Sequence, residues 1–480
     1  MWCDVTPTPL TFLSCGSSNF LYINPDQNFI GKAVMTCESA GTQSLGGGWK
    51  NYTYMPSVLE RVERLSMYKI GGLHPVTLGQ TYQEGRYQIV HKLGHGGFST
   101  TWLARDFREN VHVALKFVRS DASEGYGDNR ILREISGATD THEGFKYINY
   151  LLDEFYVGGP NGHHLCLVSK VLGASIDNLS SHSHRLSGKA SQELASQAIS
   201  ALSYLNSLGI CHGDFTSANT LLQLGSLDAL SIDELYALVG VPNKDNVRTP
   251  DGSPVGPSAP SYVVESINFA DVPNVLSLQL KVIDFDQSFH ISSPPSKMLG
   301  TPSRSLSPEA ILDLEVGVAS DVWALGCLIF RIRSVFELFG SFGASIPYRA
   351  LMQIVATLGE LPEKWRKRKF DGDGYPTEDS DPDGEELEYE PLQAPLMGAL
   401  LEIEDDPGRS LVVASDNPEV RLWTPSPKYG NGVDKASRTF ISKEEADSLF
   451  DLLSKIFKYQ PEERLGLQEI ADHPWFQLQV

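Results

Sequence analysis

The sequence predicts an α+β protein in two parts, with an antiparallel β-sheet followed by a mainly α-helical region. Alternating apolar residues indicate strands at residues 87–93 and 111–118. Apolar residues at helical spacing follow in residues 194–205 and again in residues 449–457. Residues 322–330 are apolar on almost every side, which is typical of a helix at the centre of a folded unit. Strands first and helices later favour an α+β architecture.

The composition favours a globular protein with an acidic charge balance. The 480 residues include 39 Lys and Arg against 60 Asp and Glu, which gives a net charge of −21, and 41% are hydrophobic. This apolar content is enough for a sizeable core. The acidic balance argues against direct binding of nucleic acid or of anionic membrane surfaces. We also expect a monomeric chain.

The sequence lacks the usual signals for export or membrane insertion. No stretch of 18 residues is apolar and free of charge, and residues 1–20 contain Asp4 but no basic residue. The six cysteines are widely spaced without a CxxC pair, a usage that fits a reducing compartment. We expect a cytoplasmic or nuclear location, or both.

Composition divides the chain into a leading segment and two lobes. Residues 1–66 are rich in Ser, Thr, Gly and Asn without a sustained period, so we expect a flexible extension. Residues 67–172 contain the predicted strands and form an N-lobe. Residues 173–478 contain the predicted helices and form a C-lobe.

Two segments interrupt the C-lobe pattern. Residues 223–280 form an insertion in which a short helix, predicted at 231–238, precedes a Pro-, Gly- and Ser-rich tract. Residues 371–390 form an acidic loop with ten carboxylates and no basic residue, directly after the basic stretch 364–369. The acidic loop is either an ordinary solvated segment or a docking surface for Arg-rich chains.

A glycine-rich segment between the two predicted strands is a candidate phosphate-binding loop. It extends from Leu93 to Thr101 and contains three glycines, Gly94, Gly96 and Gly97. Glycines allow a β-hairpin to present backbone N–H groups to phosphate oxygens without an intervening Cβ. The same pattern occurs in ordinary hairpins. A dinucleotide-binding loop is excluded because such a loop opens a helix, whereas a strand follows here.

Charged residues after this loop extend the candidate site. Lys116 lies in the second strand, on the face opposite the bulky residues, and Glu134 in a helix-like segment could hold its ammonium. Asp214 and Asn219 lie five positions apart on one loop, with a spacing suited to an acceptor hydroxyl and a Mg²⁺ ion. Asp284 follows a short apolar strand and could complete the metal site. Taken singly, each also fits a surface lysine, a loop or an ordinary turn.

In this order, the motifs resemble those of the eukaryotic protein kinases, and within them the SR-protein kinases and their fungal relatives. The resemblance covers residues 68–476 and implies a bilobal protein-kinase fold. The general motifs are Gly94 to Thr101, Val113 to Lys116, His212 to Asn219, Asp284-Phe285-Asp286, Ser307-Pro308-Glu309, Ser320 to Gly326, Arg464 and His473 to Phe476. The subfamily motifs are Gly71 to Val76, Phe98 to Ala104 and Val171-Leu172-Gly173.

The resemblance implies a role for each candidate residue. Lys116 would pair with Glu134 and the α/β-phosphates of ATP, and Asp214 would accept the hydroxyl proton. Asn219 and Asp284 would hold Mg²⁺. Glu309 would pair with Arg464, and Asp321 would hold the catalytic loop. The residues expected around ATP are Leu93, Gly94, His95, Gly96, Gly97, Phe98, Ser99, Thr101, Ala114, Lys116, Lys170 and Leu172.

Three departures from the kinase pattern bear on rate and control. Gly213 replaces an arginine that binds a phosphorylated activation segment in many kinases, so we expect activity without that phosphate. Thr216 replaces a lysine that touches the transferred phosphate, and Asp286 replaces a glycine. A lost cation and an added anion both oppose stabilisation of phosphoryl charge, so we expect slow turnover.

The resemblance predicts a serine/threonine kinase that phosphorylates Arg/Ser-rich proteins, and two alternatives stay open. One is a pseudokinase that binds nucleotide or partners with little turnover. The other is a small-molecule phosphotransferase of the aminoglycoside or choline type, which shares the His-Gly-Asp loop. The Ser-Pro-Glu motif argues against the second alternative.

Overall fold

The computed structural model describes most of the chain from Tyr52 onwards and two short strands before it. The described residues are 20–23, 30–33, 52–123, 128–137, 141–181, 185–334, 336–340, 346–377, 384–386, 396–401, 403, 410–412, 421–423 and 440–480. Within them, none of the helices combines the length and the apolar character needed to cross a bilayer. Residues 1–51 and 52–480 form two separate compact units.

The secondary structure changes from mostly strands to mostly helices along the chain. The strands are β1 Phe20–Ile23, β2 Ile30–Ala33, β3 Thr81–Tyr82, β4 Tyr87–His95, β5 Ser99–Asp106, β6 Val111–Val118, β7 Leu151–Gly159, β8 Gly162–Lys170, β9 Leu172–Ser175, β10 Arg185–Leu186, β11 Ile210–Cys211, β12 Thr220–Leu224, β13 Lys244–Asn246, β14 Tyr262–Val264, β15 Leu276–Val282, β16 Phe289–His290, β17 Lys369–Phe370, β18 Glu385–Glu386, β19 Ser410–Val412 and β20 Arg421–Trp423. The α-helices are α1 Ser120–Ser123, α2 Asp128–Gly137, α3 Ile176–Ser181, α4 Gly188–Ser207, α5 Ile232–Val239, α6 Pro308–Leu312, α7 Val318–Arg333, α8 Pro347–Leu358, α9 Leu396–Leu401, α10 Lys443–Ile456 and α11 Leu467–Ala471. Short 3-10 helices include Leu65–Met67, Glu143–Tyr147, Phe269–Asp271, Pro273–Val275, Ser303–Ser305, Glu363–Trp365, Pro461–Glu463 and Pro474–Gln477.

The N-lobe is built on a six-stranded antiparallel sheet in the order β3-β4-β5-β6-β8-β7. The strands predicted from alternation are β4 and β6, so this part of the prediction is confirmed. In β6, Val113, Leu115 and Phe117 are buried together in the apolar layer of the sheet. Because side chains alternate along a strand, Ala114 and Lys116 lie on the other face, where they line a cleft.

The C-lobe is organised around helices α4 and α7. The predicted apolar helix is part of α7, where Trp323 and Leu325 are fully buried. The Trp323 ring stacks on Phe339 with ring centroids 5.4 Å apart and meets Phe457 edge-on. With the six-stranded sheet of the N-lobe, these helices confirm the predicted α+β fold. In the other unit, β1 and β2 form an antiparallel hairpin.

The insertion at residues 223–280 is ordered and packs on the N-lobe. Its predicted helix is confirmed as α5, which begins at a capping box formed by Ser231 and Glu234. The Tyr236 hydroxyl donates to the carbonyl of Val90 in β4 at 3.0 Å. Strands β13 and β14 form a hairpin, and Val264 is buried in the apolar layer of the N-lobe sheet. The insertion therefore connects the two lobes.

The segment before the sheet, residues 52–80, packs against this insertion. Tyr54 and Leu65 form a buried cluster with Val247 and Val263, and Glu63 is buried in contact with the Lys92 ammonium. The prediction of a flexible extension over residues 1–66 is therefore wrong for residues 52–66. These apolar residues have no period because they pack against a hairpin distant in sequence. Apart from β1 and β2, residues 1–51 lie outside the described part of the chain.

The acidic loop at 371–390 lies largely outside the described residues. Its start, at Asp371 and Asp373, is exposed. Strand β18 within it pairs with β17, which places Glu386 opposite Lys369 in the backbone register.

Candidate active site

A cleft of about 580 Å³ lies between the N-lobe sheet and the C-lobe. Most residues predicted to surround ATP line it. These are Leu93, Gly94, His95, Gly96, Ser99, Thr101, Ala114, Lys116, Lys170 and Leu172. Gly97 and Phe98 lie at the tip of the β4–β5 hairpin, outside this lining, and Phe98 is exposed. The metal-site candidates Asn219 and Asp284 line the same cleft.

The Lys116 ammonium contacts the carboxylate of Asp284. Glu134, the predicted partner of Lys116, lies at the half-exposed side of α2, where Oε2 is 3.2 Å from Nε2 of His290. The predicted Lys116–Glu134 pair is therefore not made in this conformation of the described residues. Each of the two side chains contacts another group instead. Lys116 faces Asp284 directly, and strand β16 places His290 beside Glu134 on α2.

The loop from His212 to Asn219 places the candidate base beside the metal-site candidates. The Asn219 amide donates to Oδ2 of Asp214 at 2.7 Å and to the Asp214 carbonyl at 3.0 Å. The amide of Asn219, a candidate metal ligand, thus also fixes the orientation of the Asp214 carboxylate. Asp284 has a left-handed backbone with φ of 66°, a strained conformation that often marks functional positions.

Burial gives Asp214 unusual acid–base properties. Its pKa is raised from the model-peptide value of 3.8 to about 7, first by burial and then by the charges of Asp284 and Asp286. Asp286 itself has a raised pKa because it is buried and faces Asp284. A carboxylate with a pKa near neutral is suited to accepting a proton at physiological pH.

Comparison with known proteins identifies the family. The protein kinase domain matches residues 87–232 and 269–476, which together make up more than half of the chain. This chain belongs to the protein kinase family. The interval between the matched segments, residues 233–268, falls inside the 223–280 insertion, and both ends of the insertion belong to the matched domain.

Several relatives come from the SR-protein kinases. Protein kinase dsk1 of Schizosaccharomyces pombe is 36% identical over 221 residues, covering 44% of this chain and 40% of that protein. Serine/threonine-protein kinase SKY1 of Saccharomyces cerevisiae is 37% identical over 177 residues, or 35% of this chain and 24% of that protein. Serine/threonine-protein kinase SRPK of Physarum polycephalum is 26% identical over 429 residues, or 85% and 89%. The chain thus spans less than half the length of the first two relatives, and the resemblance to SR-protein kinases is confirmed.

Buried hydrogen bonds hold the kinase's catalytic loop on helix α7. Asp321 accepts the backbone N–H groups of His212 at 2.7 Å and Gly213 at 3.0 Å. Burial raises the pKa of Asp321 to about 6, although both donors oppose the rise. Phe285 is buried beside the His212 ring, with centroids 5.0 Å apart. The loop and the Asp284 strand are therefore fixed to one another.

The departure at Gly213 has a backbone cause that the sequence did not reveal. Gly213 has φ of 77°, and a Cβ built there would lie 2.3 Å from the carbonyl oxygen of Gln287. No larger side chain fits without moving the loop or the segment that carries Gln287. The Thr301 hydroxyl also donates to the Gly213 carbonyl at 2.6 Å.

Two buried ion pairs brace the C-lobe beneath the site. Arg464 donates to both oxygens of Glu309 at 2.7 Å, as the family resemblance implies. Arg333 donates to both oxygens of Glu445 at 2.7 and 2.9 Å, a pair that sequence reasoning missed. Arg333 lies on α7 and Glu445 on α10. Neither residue belongs to a short sequence motif, so only the fold brings them together.

The donor set of Asn219 and Asp284 fits a divalent cation. Both side chains offer oxygen atoms at the same end of the cleft, and oxygen is the ligand preferred by Mg²⁺. Among the described residues there is no cluster of three or more His, Cys, Asp and Glu arranged for a metal.

Proposed function

We propose that this chain is an ATP-dependent serine/threonine kinase of the SR-protein-kinase type. The observation that carries this proposal is that Lys116, Asn219 and Asp284 line one cleft and that the Asn219 amide donates to the Asp214 carboxylate at 2.7 Å. The other end of the cleft is lined by Lys170 and Leu172, where a nucleotide base would lie. A base, a cation and metal ligands at one end of a nucleotide-sized cleft are the parts needed for phosphoryl transfer.

Each residue has a defined task in this reaction. Asp214 holds the acceptor hydroxyl and takes its proton, and the Asn219 amide keeps the carboxylate aligned. Asn219 and Asp284 would hold Mg²⁺, and a bound Mg²⁺ would supply positive charge that neutralises the phosphates. When the nucleotide enters, Lys116 exchanges its contact with Asp284 for the phosphate oxygens. Glu134 on α2 is the carboxylate that the family resemblance assigns to Lys116.

Turnover is slow in this proposal, and it does not require a phosphorylated activation segment. Asp286 adds a partly buried carboxylate beside Asp284, and Thr216 supplies no cation on the catalytic loop. Both features oppose the build-up of negative charge on the transferring group. Gly213 has no guanidinium with which to bind a phosphate, so phosphatase treatment should leave the rate unchanged.

The proposed substrate is a basic, Arg/Ser-rich protein segment. The acidic loop at 371–390 concentrates ten of the chain's carboxylates, and long-range attraction favours Arg-rich partners. The basic stretch 364–369 precedes the loop in the sequence. The replacement of these carboxylates, described below, therefore decides between a docking surface and a solvated segment.

Phosphate transfer to an Arg/Ser repeat peptide tests this function. We expect incorporation onto serine that needs Mg-ATP, and loss of at least about a hundredfold in Asp214→Asn with ATP binding retained. ATP binding without transfer in the wild type would favour the pseudokinase. Transfer to an aminoglycoside or choline, with none to the peptide, would favour the small-molecule phosphotransferase.

Apparent affinity for the peptide should fall as salt rises, because charge attraction is screened over about 8 Å at physiological ionic strength. Replacing the ten carboxylates of the acidic loop with amides should raise the peptide KM and leave ATP affinity unchanged. An unchanged peptide KM would favour the interpretation of the acidic loop as an ordinary solvated segment.

A further inference from the structure

Residues 265–269 of the insertion, which we call the strap, run along the opening of the nucleotide cleft. Three of them, Ser266, Ile267 and Phe269, line the cleft. Residues 265–268 of the strap lie between the two segments matched by the kinase family, and Phe269 begins the second of them.

Hydrogen bonds attach the strap to both walls of the cleft. On the N-lobe side, the Ile267 N–H donates to the Lys92 carbonyl at 2.8 Å, next to the start of the glycine-rich loop. On the C-lobe side, the Asn178 amide of α3 donates to Oδ1 of Asn268 at 3.1 Å. The strap therefore spans the opening from one lobe to the other.

The segment before the sheet holds the strap from a third direction. The Ser266 N–H donates to the Arg61 carbonyl at 3.0 Å, and Nε of Arg61 donates back to the Ser266 carbonyl at 3.2 Å. The Arg61 guanidinium also lies 3.3 Å from Glu265 and lines the cleft. These reciprocal hydrogen bonds fix the backbone of the strap, so the strap is an ordered part of the cleft wall.

The position of the strap relative to a nucleotide follows from the two ends of the cleft. The base end is at Lys170 and Leu172, and the phosphate end is at Lys116 and Asp284. The sugar must join them, and Asn178, at the beginning of α3 just after the base end, is bonded to the strap. The strap is therefore the part of the wall that faces the sugar.

We propose that the strap is the specificity-determining wall for the nucleotide's sugar, so that this kinase accepts an unsubstituted ribose and rejects nucleotides that carry bulky groups on its hydroxyls. The inference rests on the proposed function, because it assumes that ATP occupies the cleft. A wall bonded to both lobes cannot move aside for a substituent without breaking its hydrogen bonds. The Ser266 hydroxyl, which has no hydrogen-bond partner among the described residues, is the strap's unused polar group.

Binding of ATP and of ATP carrying an N-methylanthraniloyl ester on its ribose tests the inference. In the wild type we expect the ester to bind at least about tenfold more weakly than ATP. Ile267→Ala, which shortens a strap side chain at the cleft, should reduce this ratio to about threefold or less. Asn268→Ala, which detaches the strap from Asn178, should reduce it as well. Val241→Ala is the matched control, since Val241 is an exposed residue of the same insertion outside the cleft, and it should keep the wild-type ratio.

The outcomes separate the two proposals. Equal binding of ATP and its ester in the wild type, which needs no variant, would overturn the strap's role and leave the proposed function intact. A ratio unchanged in both folded variants would overturn it too. Failure of ATP itself to bind would overturn the proposed function together with this inference. Melting temperatures of the variants, measured without nucleotide, establish that they are folded.

Discussion

The catalytic loop and helix α2 supply opposite sides of the same site, but they are held in different ways. The loop is fixed by buried hydrogen bonds from Asp321 and lies on a C-lobe braced by the Glu309–Arg464 pair. Helix α2 presents Glu134 at its half-exposed side, and that carboxylate contacts His290. The chemistry on the loop side is therefore preassembled, whereas the contact expected from α2 depends on where this helix lies.

This difference shows which part of the site can vary without unfolding the protein. Breaking the loop's contacts leaves buried charges without partners, which is costly. Moving α2 breaks only the contact between the partly exposed side chains of Glu134 and His290, and surface contacts of this kind are worth less than about 1 kcal/mol. The site therefore has one rigid side and one adjustable side.

The largest effect should come from breaking the rigid side. Arg464→Ala leaves the Glu309 carboxylate buried without its counter-charge, since both side chains are less than 5% exposed. We expect a loss of about 3–5 kcal/mol in the free energy of unfolding, measured by denaturant titration. Lys455→Ala is the control, because it removes an exposed pair with Asp451 at 2.7 Å and should cost no more than about 1 kcal/mol. Equal losses in the two variants would contradict the difference between a buried brace and a surface pair.

Acid should weaken the N-lobe through its buried histidines. Burial, aided by the His164 charge, lowers the pKa of His74 from 6.5 to about 3, and burial lowers that of His91 to about 4. Between these values and pH 6.5 the unfolded chain binds protons that the folded chain does not, so stability falls as pH drops through this range. Near pH 5 each histidine should cost about 2 kcal/mol relative to alkaline conditions. His74→Leu should flatten the dependence of unfolding free energy on pH, and a parallel curve would contradict this account.

A smaller effect is expected from the charge beside Asp284. Asp286→Gly and Asp286→Asn both remove a partly buried carboxylate, and Asn preserves its size. Turnover should rise by about threefold to tenfold in both variants, because phosphoryl charge is no longer opposed there. The pH at which turnover is half-maximal should also decrease, since the Asp286 charge contributes to the raised pKa of Asp214. A rise in Asp286→Gly alone would point to backbone freedom as the cause instead of charge.

The smallest effect should come from the adjustable side. His290→Ala removes the contact that holds Glu134 away from Lys116. Turnover should increase by about twofold to fivefold, because the exchanged pair is half-exposed and worth less than about 1 kcal/mol. Glu134→Gln is the matched variant, and it should lower turnover in the wild-type background and cancel the gain of His290→Ala. Independent, additive effects of the two substitutions would rule out this competition.

The predictions from sequence were most accurate for features that neighbouring residues determine. The glycine-rich hairpin, the β6 strand and the spacing of Asp214 and Asn219 are set by neighbouring residues, and the structure brings these side chains to one cleft. The partner of Glu134 was not predictable, because it depends on how α2 and β16 lie in space. The order in residues 52–66 was also missed, because Tyr54, Glu63 and Leu65 are buried against residues far along the chain. Their only sequence signal is a set of large side chains in a polar segment.

The buried contact between Glu63 and Lys92 indicates that the folding unit extends beyond the segment that matches the kinase family. The family match begins at residue 87, yet Lys92 in the first matched strand relies on a carboxylate 24 positions before that point. Burial lowers the pKa of Lys92 to about 7, so its ammonium is costly to keep charged even in the intact fold. A fragment trimmed to the family limits would enclose this ammonium with no counter-charge and expose Val247 and Val263 to water. We therefore expect the smallest segment of this kinase that folds on its own to include Tyr54 and the insertion hairpin. Segment boundaries chosen from the family match alone would remove part of this buried cluster.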